Sequence, residues 1–332
     1  MHETLRKTPL QGLGLRIEGT PLEPATAQLL RELDEAGIVR ARPSFYLTTD
    51  WVVHDETLSI GIPFYLARPD LLALHAEQEG HVEGATHDEL MRYLRHEMGH
   101  VVSYAYKLFE REEWVEAFGS MTQPYEDEYR PEPFSRRYVV HLPGWYAQKH
   151  PDEDWAETFA VWLTPGRDWR AEYAEWPAAL AKLELCDRLV KEVRGTDPPV
   201  TAYDETWGVD HLEQTLEEHY AEWAFKDDIA QVAGIDGALR AVFDEGGTPA
   251  AELFRACERA IMAEVFRFTG HFPERTRALL RKLAARAEAL GLGYRDERSA
   301  SVGLSVLAAS LAMNHVHRGA YLPSSSEVAS RE

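Results

Sequence analysis

The sequence predicts an α+β fold that is mostly α, with a small sheet, a helix carrying a His-Glu-x-x-His pattern, and an all-helical C-terminal region. Three observations carry this reading. Two strand-like runs, 44–49 and 58–66, lie near the start of the chain. Beyond them apolar residues recur at helical spacing through most of the remaining length. Arg95-His96-Glu97-Met98-Gly99-His100-Val101 sits in one of these amphipathic segments, so two histidines four apart project from one face with a carboxylate beside them.

Residues 1–24 are polar and proline-containing and read as an N-terminal extension. A helix pattern over 25–33 ends near Gly37. Pro63, inside the second strand-like run, marks an edge strand or a strand's end. Thr86-His87-Asp88-Glu89 is a capping box, with Thr at the N-cap and Glu at the third helical position, and predicts a helix that runs through the motif. On that helix Leu90, Leu94, Met98, Val101 and Ala105 share one arc, while His96 and His100 lie opposite and face a cleft. The stretch 109–145 is rich in aromatic residues, Pro and Arg. It reads either as a substrate-binding loop or as an irregular scaffold packed by Tyr and Trp.

The segment from His150 to Leu163 is a second helix: Pro151 suits the first helical position, Asp152, Glu153 and Asp154 suit the positive end of the dipole, and Thr164-Pro165-Gly166 stops it. Residues 25–195 form the first domain, and 196–207, with Asp197-Pro198-Pro199, form a linker. Residues 208–322 form a helical domain with helices near 209–231, 235–244, 249–269, 272–290 and 297–318, followed by a polar tail, 323–332. The longest apolar stretch, about 302–313, is broken by serines, is too short to cross a bilayer, and reads as a buried helix.

A catalytic zinc site takes three protein ligands and leaves one position open. A metzincin would need Gly at 103 and His at 106, where this chain has Ser103 and Tyr106, so a third histidine in that register is excluded. An acidic residue on a second helix is the other common solution. On the helix that starts at Pro151, Glu153, Ala156, Glu157 and Ala160 share a face, and Trp155, Phe159 and Trp162 occupy the other. Small alanines let two helices approach closely with the carboxylates at their contact. The competing readings are two surface histidines and a solvated acidic stripe.

His96-Glu97-x-x-His100 followed by Glu153-x-x-Ala156-Glu157 resembles the gluzincin metallopeptidases, whose zincin-like core uses a Glu on a second helix to complete the metal shell. The string from His150 to Leu163 also resembles a group of bacterial zinc-binding metallopeptidases. The resemblance covers roughly 40–185, with specific motifs only at the two helices. It implies Zn²⁺ held by His96, His100 and Glu153, with Glu157 orienting an imidazole; Asp154 takes that place if the helix register differs by one. Tyr146 stands seven residues before Glu153, a spacing similar to the active-site tyrosine of the anthrax lethal factor family, which implies an oxyanion donor. His141 is a weaker candidate for that task, and Tyr106, Tyr125, Tyr129 and Tyr138 are alternatives or packing residues. Glu97, not a ligand, is the expected general base, taking a proton from water and passing it to the leaving amine.

The function expected is therefore zinc-dependent hydrolysis of peptide bonds. The alternatives are a zinc amidase acting on an isopeptide or small modified amide, and a non-catalytic zinc-binding regulatory module. Glu97 argues against the last, because a structural site has no use for an uncoordinated carboxylate beside its histidines. A formal net charge of −21 disfavours nucleic acid and anionic membrane as partners and leaves a peptide or protein substrate. No apolar run follows the basic residues near the N-terminus, so no signal peptide is expected there. Cys186 and Cys257 match no ligand spacing or disulfide framework, which fits a cytoplasmic protein. The sequence has no internal repeat and no phosphate-binding glycine loop.

Overall fold

A computed structural model describes residues 5–126, 129–223 and 234–322. The chain divides into two compact units, Met1–Gln78 with Val82–Ala224 and Glu79–His81 with Phe225–Glu332. Each has its own apolar core.

In the first unit, helix α1 (Leu22–Ala36) ends on Gly37, whose left-handed conformation (φ 78°) lets its N–H reach back to Leu33 and Asp34 carbonyls. Strands β1 (Ser44–Thr48), β2 (Val52–Val53) and β3 (Ser59–Pro63) form a sheet with β3 in the centre, parallel to β1 and antiparallel to β2. Pro63 therefore ends a central strand. Glycine is required at position 61, where a Cβ would lie 2.6 Å from Thr48 Cγ2 and 2.7 Å from Val52 Cγ1, because the flanking side chains close over the strand. Helix α2 (Pro69–Glu79) follows the sheet.

Helix α3 (His87–Ala105) starts on the predicted capping box: Glu89 N–H donates to Thr86 Oγ1 and Thr86 N–H to the Glu89 carboxylate. From Leu90 to Ala105 every residue but Arg92 is buried. The two-faced reading of this helix is thus corrected: the histidine side faces another helix, not an open cleft. After the short α4 (Glu112–Phe118), that partner is α5 (Pro151–Leu163), followed by α6 (Pro177–Val193). Gly99 and Ala156 set the α3–α5 spacing, since a Cβ on Gly99 would lie 2.8 Å from Ala156 Cα. Trp155 locks the pair by donating its indole N–H to Gly99 O at 2.8 Å, with its ring packed against Trp114, Phe118 and Phe159.

Two sequence-based boundaries change. Leu10 and Leu22 are buried in the first core, and Pro9 bridges Thr215, so the described part of 1–24 is integral to the unit. Residues 196–207 do not form a free linker. Val200 N–H donates to Ala105 O (3.2 Å), Ala202 O accepts from Leu58 N–H (2.9 Å), Asp204 N–H donates to Ser59 Oγ (3.0 Å), and Trp207 O accepts from Thr48 Oγ1 (2.8 Å). A backbone without its own ladder is satisfied by lying on helix and sheet termini, a long-range pairing that Pro-Pro composition does not reveal. Helix α7 (Leu216–Trp223) ends the described part of this unit. The helix expected over 209–231 thus starts later, at Leu216, after a separate single turn at Val209–His211; residues 224–231 and the tail 323–332 lie outside the described residues.

The second unit contains α8 (Asp236–Val242), α9 (Ala250–Thr269), α10 (Pro273–Ala289) and α11 (Glu297–Arg318). It is not all-helical. Strands β4 (Asp244–Glu245), β5 (Thr248–Pro249) and β6 (Leu292–Tyr294) form a small antiparallel sheet around β6. The turn between β4 and β5 uses Gly246 and Gly247 at φ 81° and 86°, and Gly293 opposite has no room for a Cβ. Strands this short carry no periodicity to read. Helix α11 buries one face, including Leu304, Ala308, Leu311 and Ala312, whereas Val302 and Val306 stand 60% and 61% exposed. The buried helix expected near 302–313 is thus buried on one face only. By length and composition alone α11 is apolar enough to span a bilayer.

Candidate metal centre

His96 and His100 stand one turn apart on α3, and Glu153 projects from the first turn of α5. The two imidazole Nε2 atoms are 3.2 Å apart, and Glu153 Oε2 lies 2.9 Å from His96 Nε2 and 3.4 Å from His100 Nε2. All three side chains are buried, and together they could hold a metal ion.

The opposite edge of each ring faces another carboxylate. His96 Nδ1 is 3.0 Å from Glu157 Oε1, and His100 Nδ1 is 3.0 Å from Asp152 Oδ2. Glu157 is fully buried and is held in turn by the backbone N–H groups of His141 (2.9 Å) and Leu142 (2.8 Å). Asp152 accepts the Tyr104 hydroxyl at 2.5 Å. A carboxylate at Nδ1 draws the ring proton there and leaves a lone pair on Nε2. With the ring protons held at Nδ1, the two Nε2 lone pairs and a carboxylate oxygen converge on one point, an arrangement that a cation satisfies.

With no cation between them, the carboxylates draw protons onto the rings instead. Burial works against charge on His96, but Glu153 and Glu157 overcome it and raise its pKa to about 9. His100 is likewise raised well above its ordinary value by Asp152 and Glu153 against burial. Burial opposes ionisation of Glu153, yet the two imidazoles hold its carboxyl well below the usual range. A cation held by the three atoms would stand where those ring protons now face the carboxylates.

Glu97 follows His96 on α3, is buried, and makes no hydrogen bond or ion pair among the described residues. Burial raises its carboxyl to about 7 against the pull of His96 and His100. The Tyr146 hydroxyl lies 3.4 Å from Glu153 Oε1, and its ring centre is 5.5 Å from that of His96. Tyr125 comes closer, donating its hydroxyl to Glu153 Oε1 at 2.6 Å. Burial and the Glu153 charge keep both phenols protonated.

The structure thus brings His96, Glu97, His100, Tyr146, Glu153 and Glu157 together. Asp154 goes elsewhere, pairing with Lys182 at 2.5 Å. The His141 ring is committed to Arg92 O at 3.1 Å, and it serves the site through its backbone N–H on Glu157. Sequence reasoning missed Asp152 as a brace, although two ligand histidines call for two braces and only Glu157 had been found. It also gave no reason to prefer Tyr125, since no spacing rule links a loop residue to a helix that begins 26 positions later.

Residues 84–170 match the model of a family described as "putative zinc-binding metallo-peptidase". The match supports a metallopeptidase family. Its span covers α3 with its cap, the aromatic stretch and α5, so every residue of the cluster falls within it. No curated protein matches the chain, and no solved structure does.

Proposed function

We propose that the protein is a zinc-dependent peptidase in which Glu97 is the general base. The observation that carries this is the convergence of three buried ligand atoms, with a carboxylate 3.0 Å from the far nitrogen of each imidazole, beside Glu97, which makes no hydrogen bond or ion pair among the described residues. His96, His100 and Glu153 would hold Zn²⁺. When bound, zinc supplies a Lewis acid that polarises a carbonyl and makes water a better nucleophile near neutral pH.

The chain's own residues account for the rest. Glu97 accepts a proton from the attacking water and returns it to the departing amine. Glu157 and Asp152 hold the imidazoles in one tautomer and orientation. Tyr125 and Tyr146, both protonated, place two O–H donors beside Glu153, where they can turn to the oxygen that gains charge as the carbonyl becomes tetrahedral.

The test is a mixed-peptide digest paired with zinc analysis. Glu97→Gln keeps zinc and loses cleavage by about 10²-fold or more, whereas His96→Ala and Glu153→Ala lose both. Cleavage by Glu97→Gln at the wild-type rate would remove Glu97 from the mechanism.

A further inference from the structure

Within the segment that joins the two ligand helices, two bulky aromatic residues hold a backbone conformation that L side chains avoid. Phe134 has φ 63° and Trp145 has φ 62°, and Trp145 follows Gly144 at φ 82°. Left-handed backbone at residues of this size is strained and persists only where its surroundings enforce it.

The enforcing contacts are present. Glu132 N–H donates to Gln148 Oε1 at 2.7 Å, and Gln148 Nε2 donates to Glu132 O at 3.0 Å, so the amide side chain clips the two loops together as a backbone pair would. Tyr129 donates its hydroxyl to Gly144 O at 2.6 Å and pins the strained turn. The result is a paired ring surface: Phe134 meets Trp145 edge to face, with centres 5.2 Å apart.

Stability does not call for this arrangement. Phe134 is 66% exposed, has no polar atom, and pays for its strained backbone without burying its ring. The neighbouring aromatics have other tasks: Tyr125 and Tyr146 reach Glu153, and Lys149 Nζ sits over both of their rings. Trp145 is the residue immediately before Tyr146, so the half of the ring pair that it supplies is tied through the backbone to a residue of the proposed reaction centre.

We infer that Phe134 and Trp145 form a subsite for an aromatic or large aliphatic side chain of a peptide substrate, within two residues of the bond cleaved. The exposed Phe134 ring, backed by half-buried Trp145, gains by covering itself with such a side chain, and its rigid mounting holds the rest of the peptide in one register. This rests on the peptidase reading above, so the experiment includes an arm that does not depend on cleavage.

In the first arm, zinc-loaded full-length protein digests a mixed-sequence peptide library, and the residues flanking each new end are identified by mass spectrometry. Wild type is expected to enrich Phe, Tyr, Trp or Leu at one position within two residues of the cut. Phe134→Ala and Trp145→Ala reduce that preference about ten-fold or more at unchanged zinc content, and Trp145→Phe retains it. A preference that survives both alanine variants, or no apolar preference at all, overturns the subsite and leaves the peptidase reading standing.

In the second arm, fluorescein-labelled Gly/Ser decapeptides with a central Phe or a central Ala are titrated against the Glu97→Gln protein by anisotropy. Tighter binding of the Phe peptide, abolished by Phe134→Ala, supports the subsite even if no peptide is cleaved. In that event the peptidase reading fails alone. Equal binding of the two peptides overturns the subsite.

Discussion

Two buried polar clusters, one in each unit, are balanced in opposite ways. At the α3–α5 contact the first unit encloses His96, Glu97, His100, Asp152, Glu153 and Glu157, four carboxylates around two imidazoles. The second unit buries His271, whose Nδ1 meets Thr276 Oγ1 at 2.8 Å and whose Nε2 meets the Tyr321 hydroxyl at 3.0 Å. Burial, with His315 nearby, lowers its pKa to about 3, so the ring stays neutral and needs no counter-charge. A neutral, satisfied network lets a fold keep a polar group in its core at little cost. An unbalanced cluster is retained where something positive completes it.

The strongest test of that contrast is metal removal. Chelation is expected to destabilise the first unit by about 4 kcal/mol relative to zinc held at a thousand times its Kd, seen as a fall in its melting transition, while the second unit's transition stays in place. If both transitions shift equally, the cluster is not the source of the difference.

Next in size is the helix contact itself. Gly99→Ala puts a Cβ against Ala156 and forces α3 and α5 apart, at about 1–3 kcal/mol. Calorimetry should show the loss, and zinc affinity should fall with it because the ligands sit on both helices. Smaller again, Asp152→Asn removes the brace on His100 and is expected to weaken zinc binding about 10- to 100-fold with little effect on the apo fold, as read by competition with a chelating dye.

A last effect, driven by pH and not by a ligand, lies in the second unit. His271 is neutral in the fold down to about pH 3, whereas in the unfolded chain it takes a proton below its ordinary 6.5. The unfolded state therefore binds the extra proton, and stability falls as pH drops from 6.5 toward 3, by about 1.4 kcal/mol per pH unit. His271→Gln should flatten that slope in denaturant titrations run at several pH values. An unchanged slope would assign the acid sensitivity to other groups.

The parts of this protein legible in the sequence are those governed by local period. A capping box, an i, i+4 histidine pair and the Pro151 start of α5 depend on residues within a turn or two of one another, so α3, α5 and the candidate ligands His96, His100 and Glu153 follow from spacing, chemistry and family likeness. The absence of a metzincin histidine is legible for the same reason. Tertiary structure alone decided what reaches across. Asp152 is a brace because α5 crosses α3 at Gly99 and Ala156, Tyr125 meets Glu153 because a loop folds over the helix, and residues 196–207 complete the first unit because strand and helix ends there need partners. Such contacts join residues far apart in the chain, and no repeat in the sequence encodes them.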